Sequence, residues 1–138
     1  MMRVESTLQK RALLLVVDDD REIRRTVRYI LEDAGYSVLE APDGEVTLQL
    51  LRNHKEPMVI LLDLMMPRLD GAGVLRSVAA DTHLAYQRAF VLITANVRTL
   101  PLSFANLLAQ LAVPVLAKPF DMDQLLEIVA EAECRVAL

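Results

Sequence analysis

Met58-Val-Ile-Leu-Leu-Asp-Leu-Met-Met-Pro-Arg-Leu-Asp-Gly71 is the stretch that decides the fold. Its first five residues are all apolar and run without a break into Asp63. A short continuous apolar run suits a strand covered on both faces, the environment of a parallel sheet. Runs of the same kind lie on either side of it: Ala12–Val17, Ala89–Ile93 and Val113–Ala117. Tyr36–Ala41 is a fifth and more polar candidate, nearer an edge. Pro114 falls inside the last run, and a proline there points to an edge strand.

Helical patterns fill the intervals. Ile23, Val27, Ile30, Leu31 and Ala34 recur at helical spacing before Gly35, a stop signal. Val46, Leu48, Leu50 and Leu51 form a shorter pattern, and Ala72, Val74, Leu75, Val78 and Ala79 a third. Leu102–Leu111, opened by Pro101, is the fourth. Leu125, Leu126, Ile128, Val129 and Ala132 are the fifth, with Asp121 as N-cap. Strand and helix thus alternate five times. The expected fold is α/β, a doubly wound five-stranded parallel sheet with helices on both faces. Ligands of such sheets bind at the carboxyl ends of the strands, where strand order reverses.

The chain has 138 residues, 54% of them hydrophobic, which suits one domain with a real core. Residues 1–11 are read as an N-terminal extension, 12–134 as the domain and 135–138 as a tail. A net charge of −4 argues against broad attraction to nucleic acid. Cys134 is alone, so no internal disulfide can form and a reducing compartment is expected. One cysteine and two histidines far apart in sequence, His54 and His83, make a poor zinc set. The apolar run after Arg3, Lys10 and Arg11 is too short for a signal peptide or a membrane helix. A soluble, cytoplasmic protein without membrane insertion is expected.

The strand ends carry the chemistry. The first ends in Asp18-Asp19-Asp20, the third in Asp63, the fourth in Thr94-Ala95 and the fifth in Lys118-Pro119. In a parallel sheet these ends share one edge. Carboxylates gathered there repel one another, and each raises the cost of ionising its neighbours. Lys118 compensates one charge, and an all-oxygen set suits a hard cation, Mg²⁺ above all. Magnesium takes one or two carboxylates and leaves room for phosphate oxygens. A carboxylate can attack phosphorus and form an aspartyl-phosphate. The transferring group then needs positive partners and donors, here Mg²⁺, the Lys118 ammonium and the Thr94 hydroxyl. Ala95 is small enough to leave that group an entrance.

With these residues in view, the sequence resembles the receiver domain of two-component response regulators. Leu15-Val-Val-Asp-Asp-Asp20, Leu61-Leu-Asp-Leu-Met-Met-Pro-Arg-Leu-Asp-Gly71, Ile93-Thr-Ala95 and Lys118-Pro-Phe120 match the family's motifs in order. The resemblance covers about Ala12 to Ala132. It implies a flavodoxin-like (βα)5 fold with strand order 2-1-3-4-5. It implies that Asp63 accepts a phosphoryl group, and that Asp18, Asp19, Asp63 and the Met65 carbonyl hold Mg²⁺. Thr94 and Lys118 would contact the phosphoryl oxygen, and the Lys118–Pro119 bond would be cis. Such a protein is not an enzyme beyond its own phosphorylation and dephosphorylation. The partners implied are a histidine kinase or phosphotransfer protein and a downstream protein. The chain is expected to act as a stand-alone receiver, by protein contact or phosphorelay. The face of the fourth helix, fifth strand and fifth helix would serve contact or dimerisation, with most of Leu100, Leu102, Leu107, Leu108 and Leu111 in the core.

Departures from the family pattern are also legible. Val115 stands where the family carries a Tyr or Phe rotamer switch, and valine is stiff at χ1. Output would then be constitutive or use the Thr94–Leu100 loop. Met65 and Asn96 occupy positions that shape the lifetime of the phosphoryl group, and Met65 cannot orient an attacking water. Arg21, Arg24, Arg25 and Arg28 form a stripe on the first helix, either a solvated face with Arg28 and Glu32 paired or a docking surface. Other functions fit less well. Three aspartates after the first strand would repel a flavin phosphate, and a phosphatase with a nucleophilic Asp wants an acid where Met65 stands. The alternative is a receiver-like interaction module that works without phosphorylation.

Overall fold

The computed structural model describes residues 11–136. Residues 1–10 of the expected extension and 137–138 of the expected tail lie outside the described residues. In chain order the elements are β1 (Leu13–Val17), α1 (Arg21–Asp33), β2 (Val38–Ala41), α2 (Gly44–Asn53), β3 (Met58–Asp63) and α3 (Gly71–Ala80). Then come the short α4 (Thr82–Ala85), β4 (Arg88–Thr94), a 3₁₀ turn at Val97–Thr99, α5 (Leu102–Gln110), β5 (Val115–Ala117) and α6 (Met122–Glu133). The sheet is parallel throughout, with order β2-β1-β3-β4-β5 as expected.

Alternation along each strand divides the core in two. Leu15, Val17, Ile60, Leu62, Phe90 and Leu92 face α2, α3, α4 and α5. Leu14, Val16, Val59, Leu61, Val91 and Ile93 face α1 and α6. Every residue of β3 is buried, which is why this central strand reads as an unbroken apolar run. Burial of side chains on both faces supplies the main folding drive, about 25 cal/mol per Å² of apolar surface.

Both edge strands are shorter than their apolar runs. Tyr36 and Ser37 precede β2, and Val113 and Pro114 precede β5. Pro114 has no N–H to give, but its carbonyl still accepts from the Leu92 amide at 3.0 Å. Helix α4 was not anticipated. The Asp81 carboxylate caps it by accepting from the His83 amide at 2.9 Å, and Leu84 anchors it in the core. The expected fourth and fifth helices are therefore α5 and α6. Of the five leucines expected mostly in the core, Leu108 is buried, Leu100, Leu107 and Leu111 are partly buried against it, and Leu102 stays exposed. Asp121 caps α6 as expected, in a reciprocal capping box with Gln124.

The two ends of the domain meet. The Glu133 carboxylate, in the last turn of α6, accepts from the Ala12 amide at 2.8 Å and from the Tyr36 hydroxyl at 3.1 Å. Arg11 lies over the Tyr36 ring, 4.4 Å from its centroid.

Candidate functional site

The site lies at the carboxyl edge of the sheet, across the point where strand order reverses between β1 and β3. Asp18 follows β1 directly and is 6% exposed; Asp63 is the last residue of β3 and is 7% exposed. Asp19 is exposed beside them. One carboxylate oxygen from each of Asp18, Asp19 and Asp63 lies within 4.8 Å of the others. Lys118, just past β5, puts its ammonium 3.6 Å from Asp18 Oδ2 and 3.5 Å from Asp63 Oδ1. Four of the expected residues thus converge on one point.

Local structure fixes each of them. Asp20 is not part of the cluster: its carboxylate accepts from the Glu22 and Ile23 amides and caps α1. Asp18 Oδ1 accepts from the Asp20 amide at 2.9 Å, so the turn orients the buried acid. Behind Asp63, Gly71 comes so close that a Cβ there would sit 2.7 Å from the Asp63 carbonyl oxygen. Thr94 ends β4 and is 2% exposed; its hydroxyl accepts from the Asn96 amide at 3.1 Å. The Lys118 amide donates to the Thr94 carbonyl at 2.9 Å, and the Lys118–Pro119 peptide is cis as expected. Met65, the second residue of the β3–α3 loop, is 66% exposed, and Asn96 is also exposed.

Burial pushes the Asp63 carboxyl above the ordinary carboxylate range, and Asp18 adds to this; Lys118 acts the other way. Three carboxylates against one ammonium leave an excess of negative charge in a half-enclosed space. All the donors are oxygens. Such a donor set fits a hard divalent cation such as Mg²⁺.

The arginine stripe requires a correction. Arg24 and Arg28 are not a free docking surface. Arg24 pairs with Glu40 on β2 at 3.1 Å and donates to the Asp18 carbonyl at 2.8 Å. Arg28 bridges Glu32 at 3.0 Å, the expected i, i+4 pair, and Glu40 at 2.9 Å. Those bonds lower the Glu40 pKa, Arg28 contributing most. Only Arg21 and Arg25 of the stripe remain exposed. The missed signal was Glu40, an acid in a short edge strand.

A second clasp also escaped the sequence reading. Arg68, at φ 65°, donates from Nε to Asp43 Oδ2 at 2.9 Å. Asp43 caps α2 through the Val46 amide, and the Gly44 amide donates to the Leu69 carbonyl at 2.9 Å. The loop that follows Asp63 is thus stapled to the start of α2. No spacing rule links residues 43 and 68.

Comparison with known proteins agrees with this fold. The family model for the response regulator receiver domain matches residues 14–130. Response regulator MprA of a Mycobacterium species (strain KMS) is 51% identical over 63 residues, 46% of this chain and 27% of MprA. The match thus spans under a third of that relative's length. Among solved structures, a CheY-like receiver domain protein from Methanospirillum hungatei JF-1 superposes with a TM-score of 0.78 at 30% identity, covering 89% of this chain and 94% of that one. CheY4 of Vibrio cholerae gives a TM-score of 0.75 at 27% identity, over 89% and 99% of the two chains.

Proposed function

The chain belongs to the response regulator receiver family of two-component systems, and on that premise we propose that Asp63 accepts a phosphoryl group from a histidine kinase or phosphotransfer protein. The observation that carries this reading is the convergence of Asp18, Asp19, Asp63 and Lys118 at one strand edge.

In this reading the Asp63 carboxylate is the nucleophile toward phosphorus. Asp18, Asp19 and Asp63 would hold Mg²⁺, and the Met65 carbonyl would complete the protein's share. The ion, when bound, supplies positive charge to the phosphoryl oxygens. Lys118 already reaches Asp63 and stabilises the same oxygens. The test is intact mass after incubation with acetyl phosphate and Mg²⁺. Wild type gains one phosphoryl group; Asp63→Ala gains none. Wild type without a mass gain would sink the reading.

Output follows from Thr94. If its hydroxyl turns to a phosphoryl oxygen, the Asn96 amide loses its acceptor and the 95–101 segment is released to rearrange. Val115 is half-buried and adds no swinging ring. Signalling then proceeds by protein contact or phosphorelay, with α5, β5 and α6 as the face for a downstream protein or a second copy. The phosphodonor would seat a helix in the groove between α1 and the start of α6, lined by Ile23, Ile30, Phe120 and Met122. Ile23 is 38% and Met122 55% exposed, and both helices begin just past the site residues of β1 and β5. Val115 favours a second reading, an interaction module that works without phosphorylation. The same mass experiment separates the two.

A further inference from the structure

The opposite edge of the sheet holds a cavity of about 490 Å³, within the range of small-molecule sites. Arg52, His54, Lys55, His83, Tyr86 and Arg88 line it, with Leu51 and Leu84 as apolar floor. The chain is net acidic, yet this wall carries three cations and both histidines against one acid, Asp81. The Asp81 carboxylate is already engaged, accepting from the His83 amide at 2.9 Å.

Arg88 is the unusual member. It opens β4 and is half-buried, with its guanidinium turned onto the end of α2. There it donates to the carbonyls of Leu51, at 3.3 Å, and of His54. No carboxylate pairs with it among the described residues, and its buried Nε has no partner. Burial lowers its pKa, and Glu56 opposes this only through space. A half-buried cation held only by carbonyls, with no carboxylate in contact, gains from an anion placed beside it. Gln87, just before it, is held at φ 56°, the left-handed region that a side chain occupies only under constraint. That turn leaves Arg88 inward and Tyr86 71% exposed at the rim of the same cavity.

We propose that this cavity binds a nucleoside diphosphate, with its phosphates among Arg52, Lys55 and Arg88 and its base against the Tyr86 ring. Carboxylates suit the cations less well than a diphosphate does, because three separate positive groups are available. The aromatic rim and the leucine floor favour a ligand with a flat apolar body over a bare anion. The site is independent of the phosphorylation edge: β3 alone, at about 3.3 Å per residue, separates the two by roughly 17 Å.

The experiment is a titration of the full chain with ADP in EDTA buffer, which silences any metal at the Asp63 edge. The readout is the imidazole NMR signals of His54 and His83, the protein's two histidines. Both signals are expected to shift and saturate. The double variant Arg52→Ala, Lys55→Ala changes two exposed side chains and should weaken binding about tenfold or more. Asp63→Asn should leave the curve unchanged. Absence of a saturable shift with wild type would overturn the proposal. So would an unchanged affinity in the double variant, or loss of binding in Asp63→Asn. Pyrophosphate binding as tightly as ADP would overturn the nucleoside assignment.

Discussion

Replacing Gly71 by alanine tests how tightly the fold holds its acceptor. The added Cβ would lie 2.7 Å from the Asp63 carbonyl oxygen and 3.0 Å from Leu64 Cα. Ordinary contact begins near 3.4 Å, so the carbonyl is about 0.7 Å too close. Both obstructing atoms are backbone and no rotamer change can relieve them; the end of β3 or the start of α3 must move. The strain should cost about 1–3 kcal/mol of stability. Misplacing a reacting group by about 1 Å can cost ~100-fold in rate. A shift of this size should therefore slow phosphorylation by a small phosphodonor some 10- to 100-fold. Gly35→Ala is the matched control. Gly35 sits at φ 96° with nothing within 4 Å of a new Cβ, far from the site in sequence and at the other end of α1. It should lose about 1–2 kcal/mol through backbone strain alone. Urea unfolding and the phosphorylation rate, measured on both variants, distinguish the effects. Both should lose stability, and only Gly71→Ala should lose rate. A Gly71→Ala rate within twofold of wild type, or equal slowing in Gly35→Ala, would refute the reasoning.

The Asp43 pKa is held below the usual range, first by the Val46 amide and then by Arg68. Its contribution is therefore present above the unfolded value, about 3.9, and is lost as pH falls through the folded value. Asp43→Ala should cost about 1–2 kcal/mol near neutrality, and urea titrations of the two proteins should converge as pH drops below about 4. Met65→Asn supplies a group that can orient water, and is expected to shorten the lifetime of phosphorylated Asp63 in a mass time course. Arg25→Glu should slow phosphotransfer from a partner while leaving uptake from acetyl phosphate unchanged. Arg24→Glu should lower uptake from both donors, because Arg24 also holds the Asp18 carbonyl.

What was legible in the sequence is what depends on period and on strand ends. Met58–Leu62 reads as a buried strand because both of its faces are covered, and the acids that end β1 and β3 are adjacent because the sheet is parallel. The cap at Asp121 follows from its place before an apolar periodicity. What escaped depends on partners distant in sequence. Arg24 and Glu40 are 16 positions apart, and Arg68 and Asp43 are 25 apart. Each pairing exists only once α1 lies on β2, or once the loop after β3 reaches α2. Helix α4 was hidden by its brevity: four residues are too few for a hydrophobic period to show. His54 and His83 looked unrelated, yet the turns at the rear of the sheet bring them to one cavity.

The Glu133 carboxylate, which receives both the Ala12 amide and the Tyr36 hydroxyl, makes the domain nearly a closed loop of chain. Fraying normally begins at a terminus, because a terminus has the least to lose. Here the first strand cannot peel away without releasing the last helix, and the last helix cannot unwind without exposing the first strand. The first strand and the last helix thus share one fate, and a force that opens either of them disturbs the other.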